Sequence, residues 1–380
     1  MGIKSLHRIL EKYAPGCYVK RHLSYYSYKK IAIDISLYLY KYKAIHGDKW
    51  VACFLDLIVA MRKWDVHCIF IYDGKAPMEK VDEQLRRRDT RAKMGDKIVE
   101  LEKEIKQFEG DGTIGEYLEE MNKKVGKIVS IRNHNRVNLP AIKEKLDSMK
   151  GMMISIVPED IALSKHLFDV LNIPYLTAPA EAECYASQLC VDGKVDGVLS
   201  EDTDVLAYGT PCFLTKIDTR TDTVIEILYS KITEETGMSR DTFTDLCIMC
   251  SCDYNSNIPM IGPEKSYQLL STYKNIDDVI SHLKTLKKGK VEYTDEVCSI
   301  LKYKRCREMF STYPVECYIP YCGSPDFFTL FEFLSANTIR YDFDLLKKYL
   351  SPRKLDFLDE EKEEKEEKEE KEEENKDDKK

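Results

Sequence analysis

Two carboxylate pairs lie close together in this chain: Glu181 and Glu183 in Ala178-Pro-Ala-Glu-Ala-Glu-Cys184, then Asp202 and Asp204 in Ser200-Glu-Asp-Thr-Asp204. The residues around them are small or apolar. Acids this dense repel one another unless positive charge lies between them. A divalent cation is the economical candidate, because hard ions such as Mg²⁺ take oxygen ligands and pair carboxylates with substrate phosphates. Three further acids, Asp34, Asp73 and Asp253, also stand at strand or helix ends. Any one of the seven reads equally well as a helix cap or an acidic first turn. The joint pattern carries the inference. Seven carboxylates imply two cation positions, the arrangement that clamps the attacking and leaving oxygens of a phosphoryl displacement and activates a water.

The elements that must hold these acids can be read from periodicity. Lys30-Ile-Ala-Ile-Asp34, Cys68-Ile-Phe-Ile-Tyr-Asp73 and Val195-Asp-Gly-Val-Leu-Ser200 read as buried strands, each running into acids. Between the first two, Phe54, Leu57, Ile58 and Met61 recur at helical spacing. Strand, helix and strand in that order predict an α/β fold: a central, mostly parallel sheet covered by helices. In such sheets, sites form beyond the carboxyl ends of the strands, where these acids would converge. Asp160 to Leu171 reads as a helix and Ile173-Pro-Tyr-Leu176 as a short strand.

Residues 86–157 differ. From Arg86 to Lys150 there are 16 basic and 12 acidic residues in a mostly helical pattern, broken at Gly110–Gly115 and at Asn133-His-Asn135. The expectation is an inserted helical arch. Just before it, Lys80 and Arg87 are two helical turns apart and share a face. They follow Asp73 closely and are placed to act on a phosphate; a solvated basic face is the plainer alternative. Residues 241–275 read as a helical hairpin. Gly262-Pro263 forms its tight turn, with proline at a helix start. Backbone N–H groups there can hold a DNA phosphate without reading sequence. Residues 359–380 are a Glu/Lys-rich repeat read as a disordered tail.

Bulk properties bound the answer. The 380 residues carry a formal charge of −8. The tail alone has 14 acids and 7 lysines and therefore accounts for −7 of it. Once the seven clustered acids are also set aside, the body is basic and compatible with a polyanionic partner. No apolar run is long enough to span a membrane, and the N-terminus has no signal pattern. The 13 cysteines are scattered, mostly in apolar context, which fits reduced thiols in an intracellular protein. Cys247, Cys250 and Cys252 lack a second pair at zinc spacing.

Taken together, these segments resemble the structure-specific 5′ nucleases: the flap endonuclease, exonuclease-1 and xeroderma-group-G superfamily. The resemblance begins at Met1-Gly-Ile and includes Ile31-Ala-Ile-Asp34, Tyr72-Asp-Gly-Lys75 and Ile173-Pro-Tyr-Leu176. It continues through Ala178-Pro-Ala-Glu-Ala-Glu183, Glu201-Asp-Thr-Asp-Val-Leu206, Cys252-Asp-Tyr254 and the hairpin, and is nearest to flap endonucleases. It implies one nuclease domain over 1–350 that cleaves branched DNA, with 5′ flaps or junctions, near single-strand/double-strand boundaries. It implies two Mg²⁺ ions, with Mn²⁺ as a substitute, on the seven acids. Lys80 and Arg87 match arch residues that act at the scissile phosphate. Tyr40 matches an aromatic that stacks on a terminal base pair; a core tyrosine is the plainer reading. Gly2 matches a processed N-terminus near the active site, and Gly262, Pro263 and Lys265 belong to the DNA-contacting hairpin. A K⁺ ion bridging hairpin and DNA is also implied, although Met260 and Asn257 depart from the usual Gly and Ser. Pro352-Arg-Lys-Leu-Asp-Phe-Leu358 is a reduced form of the sliding-clamp motif.

The activity expected is a 5′ flap endonuclease with 5′-3′ exonuclease activity in replication, repair or recombination. The protein is expected to be monomeric and to work in the nucleus or at a cytoplasmic viral replication site. The rivals are an exonuclease-1-like or junction-resolving enzyme, a metal-dependent RNase and a non-catalytic DNA-binding scaffold.

Overall fold

A computed structural model of the chain describes residues 2–126, 137–286 and 292–352. Seven strands form one sheet: β1 (Tyr18–His22), β2 (Lys30–Asp34), β3 (His67–Tyr72), β4 (Tyr175–Thr177), β5 (Gly197–Leu199), β6 (Cys212–Asp218) and β7 (Thr223–Leu228). Their spatial order is β1-β7-β6-β5-β2-β3-β4. β6, β5, β2, β3 and β4 run parallel to one another, and β7 and β1 close one side antiparallel. The α/β architecture read from the sequence is therefore present. The antiparallel margin is an addition to it.

The central strands are apolar on both faces because helices cover both. Ile31 and Ile33 of β2, with Cys68 and Phe70 of β3, belong to one core layer. Ala32, Ile69 and Ile71 point into the other. The helices up to residue 273, in chain order, are α1 (Leu6–Tyr13), α2 (Ile35–His46), α3 (Trp50–Arg62), α4 (Val81–Asp111), α5 (Glu116–Gly126), α6 (Leu139–Gly151), α7 (Pro158–Val170), α8 (Ala182–Val191), α9 (Asp204–Ala207), α10 (Tyr229–Thr236), α11 (Arg240–Cys250) and α12 (Pro263–Tyr273), and among the described residues five more follow between Ile276 and Leu350. In α3, Phe54, Leu57, Ile58 and Met61, the helical-spacing set, are all buried against the same layer as Phe168 of α7. α1, α8, α11 and α12 pack on the opposite layer.

α4, α5 and α6 fill most of the segment expected as an arch, 86–157, and they have a core of their own. Ile98, Leu101 and Ile105 meet Leu118, Met121, Ile142 and Leu146 there. α4 begins at Val81, before the expected start at Arg86, so Arg87 lies in its second turn. The break at Gly110–Gly115 falls between α4 and α5, where Gly112 caps α4 in a left-handed conformation. Asn133-His-Asn135, the clamp-like motif after Pro352 and the Glu/Lys tail lie outside the described residues.

α11 and α12 are joined by residues 251–262, a longer connection than the tight turn expected. Side chains satisfy its polar backbone. Asn255 donates to the Ile248 and Leu301 carbonyls and accepts from Cys252 N–H; Asn257 donates to the Met249 carbonyl. All 13 cysteines are free thiols. Among the described residues no helix is long and apolar enough to cross a membrane.

Candidate metal and nucleic-acid site

The chain order reverses at β2: β3 and β4 follow on one side, β5 and β6 on the other. Such a switch point opens a crevice at the carboxyl ends of the strands. Asp34 closes β2, Asp73 follows β3, Glu181 and Glu183 follow β4, and Asp202 and Asp204 follow β5. Asp253 arrives from the α11–α12 connection. Asp34, Asp73, Glu181, Glu183, Asp202 and Asp253 line one open cleft of about 1240 Å³. Asp204 lies behind them, fully buried.

Asp34, Asp73 and Asp202 are each held by a backbone amide, and Glu181 by a side chain. Asp34 caps α2 with Oδ1, which accepts the Ser36 N–H at 3.0 Å. Asp73 Oδ1 accepts the Ala182 N–H at the head of α8, 2.8 Å away. Asp202 Oδ1 accepts the Asp204 N–H at 2.9 Å. Glu181 Oε2 accepts the Tyr254 hydroxyl. Capping is thus real for Asp34 and Asp73, but it occupies a single oxygen in each. Asp204 Oδ1 is buried and has no hydrogen-bond partner.

The electrostatics follow from burial and crowding. Burial, then the neighbouring Asp73, pushes the Asp34 carboxyl up to about 7. Burial also raises Glu183, with Asp34 adding to it, and Asp204, with Asp202 adding to it. Asp202 is raised as well, chiefly by burial. Negative charge here is costly unless a cation shares the space. The Lys80 ammonium supplies part of that charge: it pairs with Glu181 Oε1 and lies 3.7 Å from Glu183 and 3.3 Å from Asp253. Burial alone would lower the Lys80 pKa, but Glu183 and Glu181 outweigh it and the ammonium is held protonated. Arg87 reaches Asp253 Oδ2 at 2.7 Å and is braced by Glu83 at 2.8 Å. The shared face expected of Lys80 and Arg87 is therefore turned toward the acids.

Among the described residues no three acidic, His or Cys side chains stand as an assembled coordination shell; Lys80 intervenes instead. The donor set nonetheless fits hard divalent cations. It is all oxygen, Asp34, Glu183, Asp202 and Asp204 are destabilised as anions, and Asp204 offers a buried oxygen with nothing bound to it.

Gly2 lies against this cleft. Its φ is +85°, and a Cβ there would come within 2.1 Å of Asp202 Oδ1, so only glycine fits. A Cβ on Gly74 would meet the Ala178 carbonyl at 2.0 Å, where the end of β3 passes the entry to α8. Tyr40 also lines the cleft, half-buried at the foot of the cap, with its hydroxyl donating to the Met152 carbonyl at 3.0 Å. The hairpin residues Gly262, Pro263 and Lys265 are not part of the cleft wall. Gly262 caps α12, Pro263 begins it, and the Lys265 ammonium donates to the Met260 carbonyl at 3.0 Å. Met260 holds φ +64° and is 61% exposed, and its carbonyl takes the Lys265 ammonium.

Two groups at the site were not singled out from the sequence. Arg91 donates to the Tyr40 hydroxyl at 2.8 Å and also to the Ile154 carbonyl. Tyr254 donates to Glu181 and lies 3.3 Å from the Tyr208 hydroxyl. Adjacency to Asp253 was the available signal for Tyr254. For Arg91 it was the helical step of four from Arg87.

Comparison with known proteins places these features in context. The XPG N-terminal domain matches residues 1–94, and the XPG I-region matches residues 172–253. A probable RAD2-like endonuclease of Invertebrate iridescent virus 3 is 31% identical over 349 residues, covering 84% of this chain and 91% of that protein. Flap endonuclease 1 of Enterocytozoon bieneusi is 28% identical over 331 residues, covering 82% and 76%. Among solved structures, the catalytic core of Rad2 in complex with a DNA substrate superposes with a TM-score of 0.63 at 16% identity, covering 93% of this chain and all of that one. Flap endonuclease-1 from Methanococcus jannaschii gives 0.55 at 19%, covering 90% and 96%. At these identities the structural likeness establishes the fold.

Proposed function

The chain belongs to the XPG family of structure-specific nucleases, and we propose that it is a Mg²⁺-dependent 5′ flap endonuclease with 5′-3′ exonuclease activity on branched DNA. The observation that carries this reading is the single cleft in which the sheet-edge acids, the cationic foot of α4 and Tyr40 meet. Asp34, Asp73, Glu181, Glu183, Asp202, Asp204 and Asp253 would hold two divalent cations. When bound, these supply Lewis-acid polarisation of the scissile phosphate and a water of lowered pKa.

The chain's own residues do the rest. Lys80 and Arg87 turn from the carboxylates to the phosphate and stabilise the charge that develops on its oxygens. Tyr40 presents its ring to the terminal base pair, steadied by Arg91 and the Met152 carbonyl. Backbone N–H groups at the head of α12, after Gly262, and the Lys265 side chain take a phosphate of the duplex without reading sequence. Asp253 ties that contact to the cleft, because the same connection carries both.

The test is a cleavage panel on labelled 5′-flap, nicked, recessed, bubble and four-way-junction DNA, with an RNA flap beside them, in Mg²⁺, in Mn²⁺ and in chelator. Preferred incision of the 5′ flap, lost in chelator, is expected. Preference for a recessed end or a junction would move the protein to an exonuclease-1-like or junction-resolving role. Mg²⁺-dependent cleavage that survives Asp202→Asn would refute the metal assignment.

A further inference from the structure

The acids of the cleft differ in what fixes them. Backbone amides, which no side-chain substitution removes, hold Asp34, Asp73 and Asp202. Glu181 has no such amide: it stands at the head of α8, where its carboxylate makes no capping bond. Its side chain is also one torsion longer than an aspartate's and is costlier to immobilise. A side-chain donor, the Tyr254 hydroxyl, takes its Oε2. The Lys80 ammonium approaches the other oxygen, Oε1.

Tyr254 is itself fixed. Its ring is 4% exposed, and its hydroxyl lies 3.3 Å from that of Tyr208, which is fully buried. Phe310 packs against both rings, at 5.2 Å from Tyr208 and 5.6 Å from Tyr254. We propose that Tyr254 is a positioning residue: it locks Glu181 through Oε2 so that Oε1 alone is offered to a cation, and Tyr208 holds Tyr254 in place. The proposal rests on the reading of Glu181 as a metal ligand given above. A carboxylate locked by an outer hydrogen bond binds metal better than a free one, because the ordering is done beforehand.

The experiment measures Mn²⁺ binding to the full-length protein without DNA, by calorimetry and by loss of the free-ion paramagnetic resonance signal. Wild type, Tyr254→Phe, Tyr208→Phe, Glu181→Gln and the Tyr254→Phe/Glu181→Gln double variant are compared, with thermal melts of each in chelator. Tyr254→Phe is expected to weaken Mn²⁺ binding about 10-fold, the lower end for loss of an outer hydrogen bond. Tyr208→Phe, which leaves every acid contact in place, should give a smaller loss in the same direction. In the Glu181→Gln background Tyr254→Phe should change nothing further.

A purely structural role would instead lower the melting temperature and act equally in both backgrounds. That result, or Tyr254→Phe binding Mn²⁺ as wild type does while Glu181→Gln binds less, overturns the proposal alone. Wild type that binds no Mn²⁺, or Glu181→Gln that binds as wild type does, overturns the metal reading of Glu181 and this proposal with it.

Discussion

The sheet-edge cleft and the helical cap use the same residue types to opposite ends. In the cap, lysines and glutamates pair on open helix surfaces: Lys97 and Lys124 with Glu120, Lys143 with Glu109, Lys150 with Glu102. Exposed pairs of this kind contribute little to stability, so the cap depends on its own apolar core. In the cleft Asp34, Glu183, Asp202 and Asp204 are buried with their carboxyls pushed up, and two cations, Lys80 just before α4 and Arg87 within it, lie against the site. Charge there works against stability and is retained for chemistry. A protein that concentrates repulsion in one place and spreads weak attraction elsewhere should respond oppositely to substitutions in the two regions.

The largest expected contrast is at Asp204. Asp204→Asn removes one buried negative charge and keeps the shape. Mg²⁺-dependent cleavage should fall by at least ~10³-fold, the upper end for losing one preorganised electrostatic partner. The melting temperature in chelator should hold or rise, since repulsion has been relieved. A large drop in melting temperature would break the comparison. Next comes Leu101, buried at the centre of the cap core. Leu101→Ala should destabilise the cap by about 2–5 kcal/mol. Hydrogen exchange should quicken in α4–α6 and stay unchanged in β2 and β3, because the cap core is a separate cluster. Faster exchange in the sheet would mean the two regions unfold together.

Arg87 joins the regions. Arg87→Ala should slow cleavage ~10²-fold with little change in melting temperature, because its pairs with Glu83 and Asp253 lie on a half-exposed side chain. Lys143→Ala, which removes only the surface pair with Glu109, should leave cleavage within about twofold. Equal losses for both would show that the foot of α4 and the outer surface of the cap are not distinct.

The same contrast governs what could be read from the sequence. Asp34, Asp73, Asp202 and Asp204 follow short apolar strands, so each was legible as an acid at a strand end, and parallel order then brought them to one edge. Glu181 and Glu183 were legible because Pro179 marks a non-helical entry. β1, β6 and β7 were not: Tyr18-Val-Lys-Arg-His22 is half polar, and its strand character comes only from pairing with β7. Tyr254 escaped because a hydroxyl's partner is set by tertiary packing, and Glu181 is 73 residues away in the chain. The cap was legible as an inserted helical segment but its own core was not, since the contact of α6 with α4 is a long-range pairing that no local pattern encodes. Whether Lys80 would face acids or solvent was equally open in the sequence; burial decides it.

A pH profile of stability isolates the charge of the cleft directly. A carboxyl with a free value of 3.8 that is raised to about 7 on folding, as Asp34 is, keeps its proton in the folded state after the unfolded chain has lost it. Between those two values the folded protein binds more protons, so stability falls as pH rises, and above about 7 the loss is complete. Glu183, Asp202 and Asp204 are shifted in the same direction and add to it. In chelator the protein should therefore melt at lower temperature at pH 7.5 than at pH 5. Asp34→Asn should flatten the profile. Mg²⁺ should restore the melting temperature at pH 7.5 and have little effect at pH 5, where protons already fill the role of the cation. A profile that rises with pH in chelator would mean that Lys80 and Arg87 neutralise the cleft by themselves, and that the acids store no repulsion for a metal to relieve.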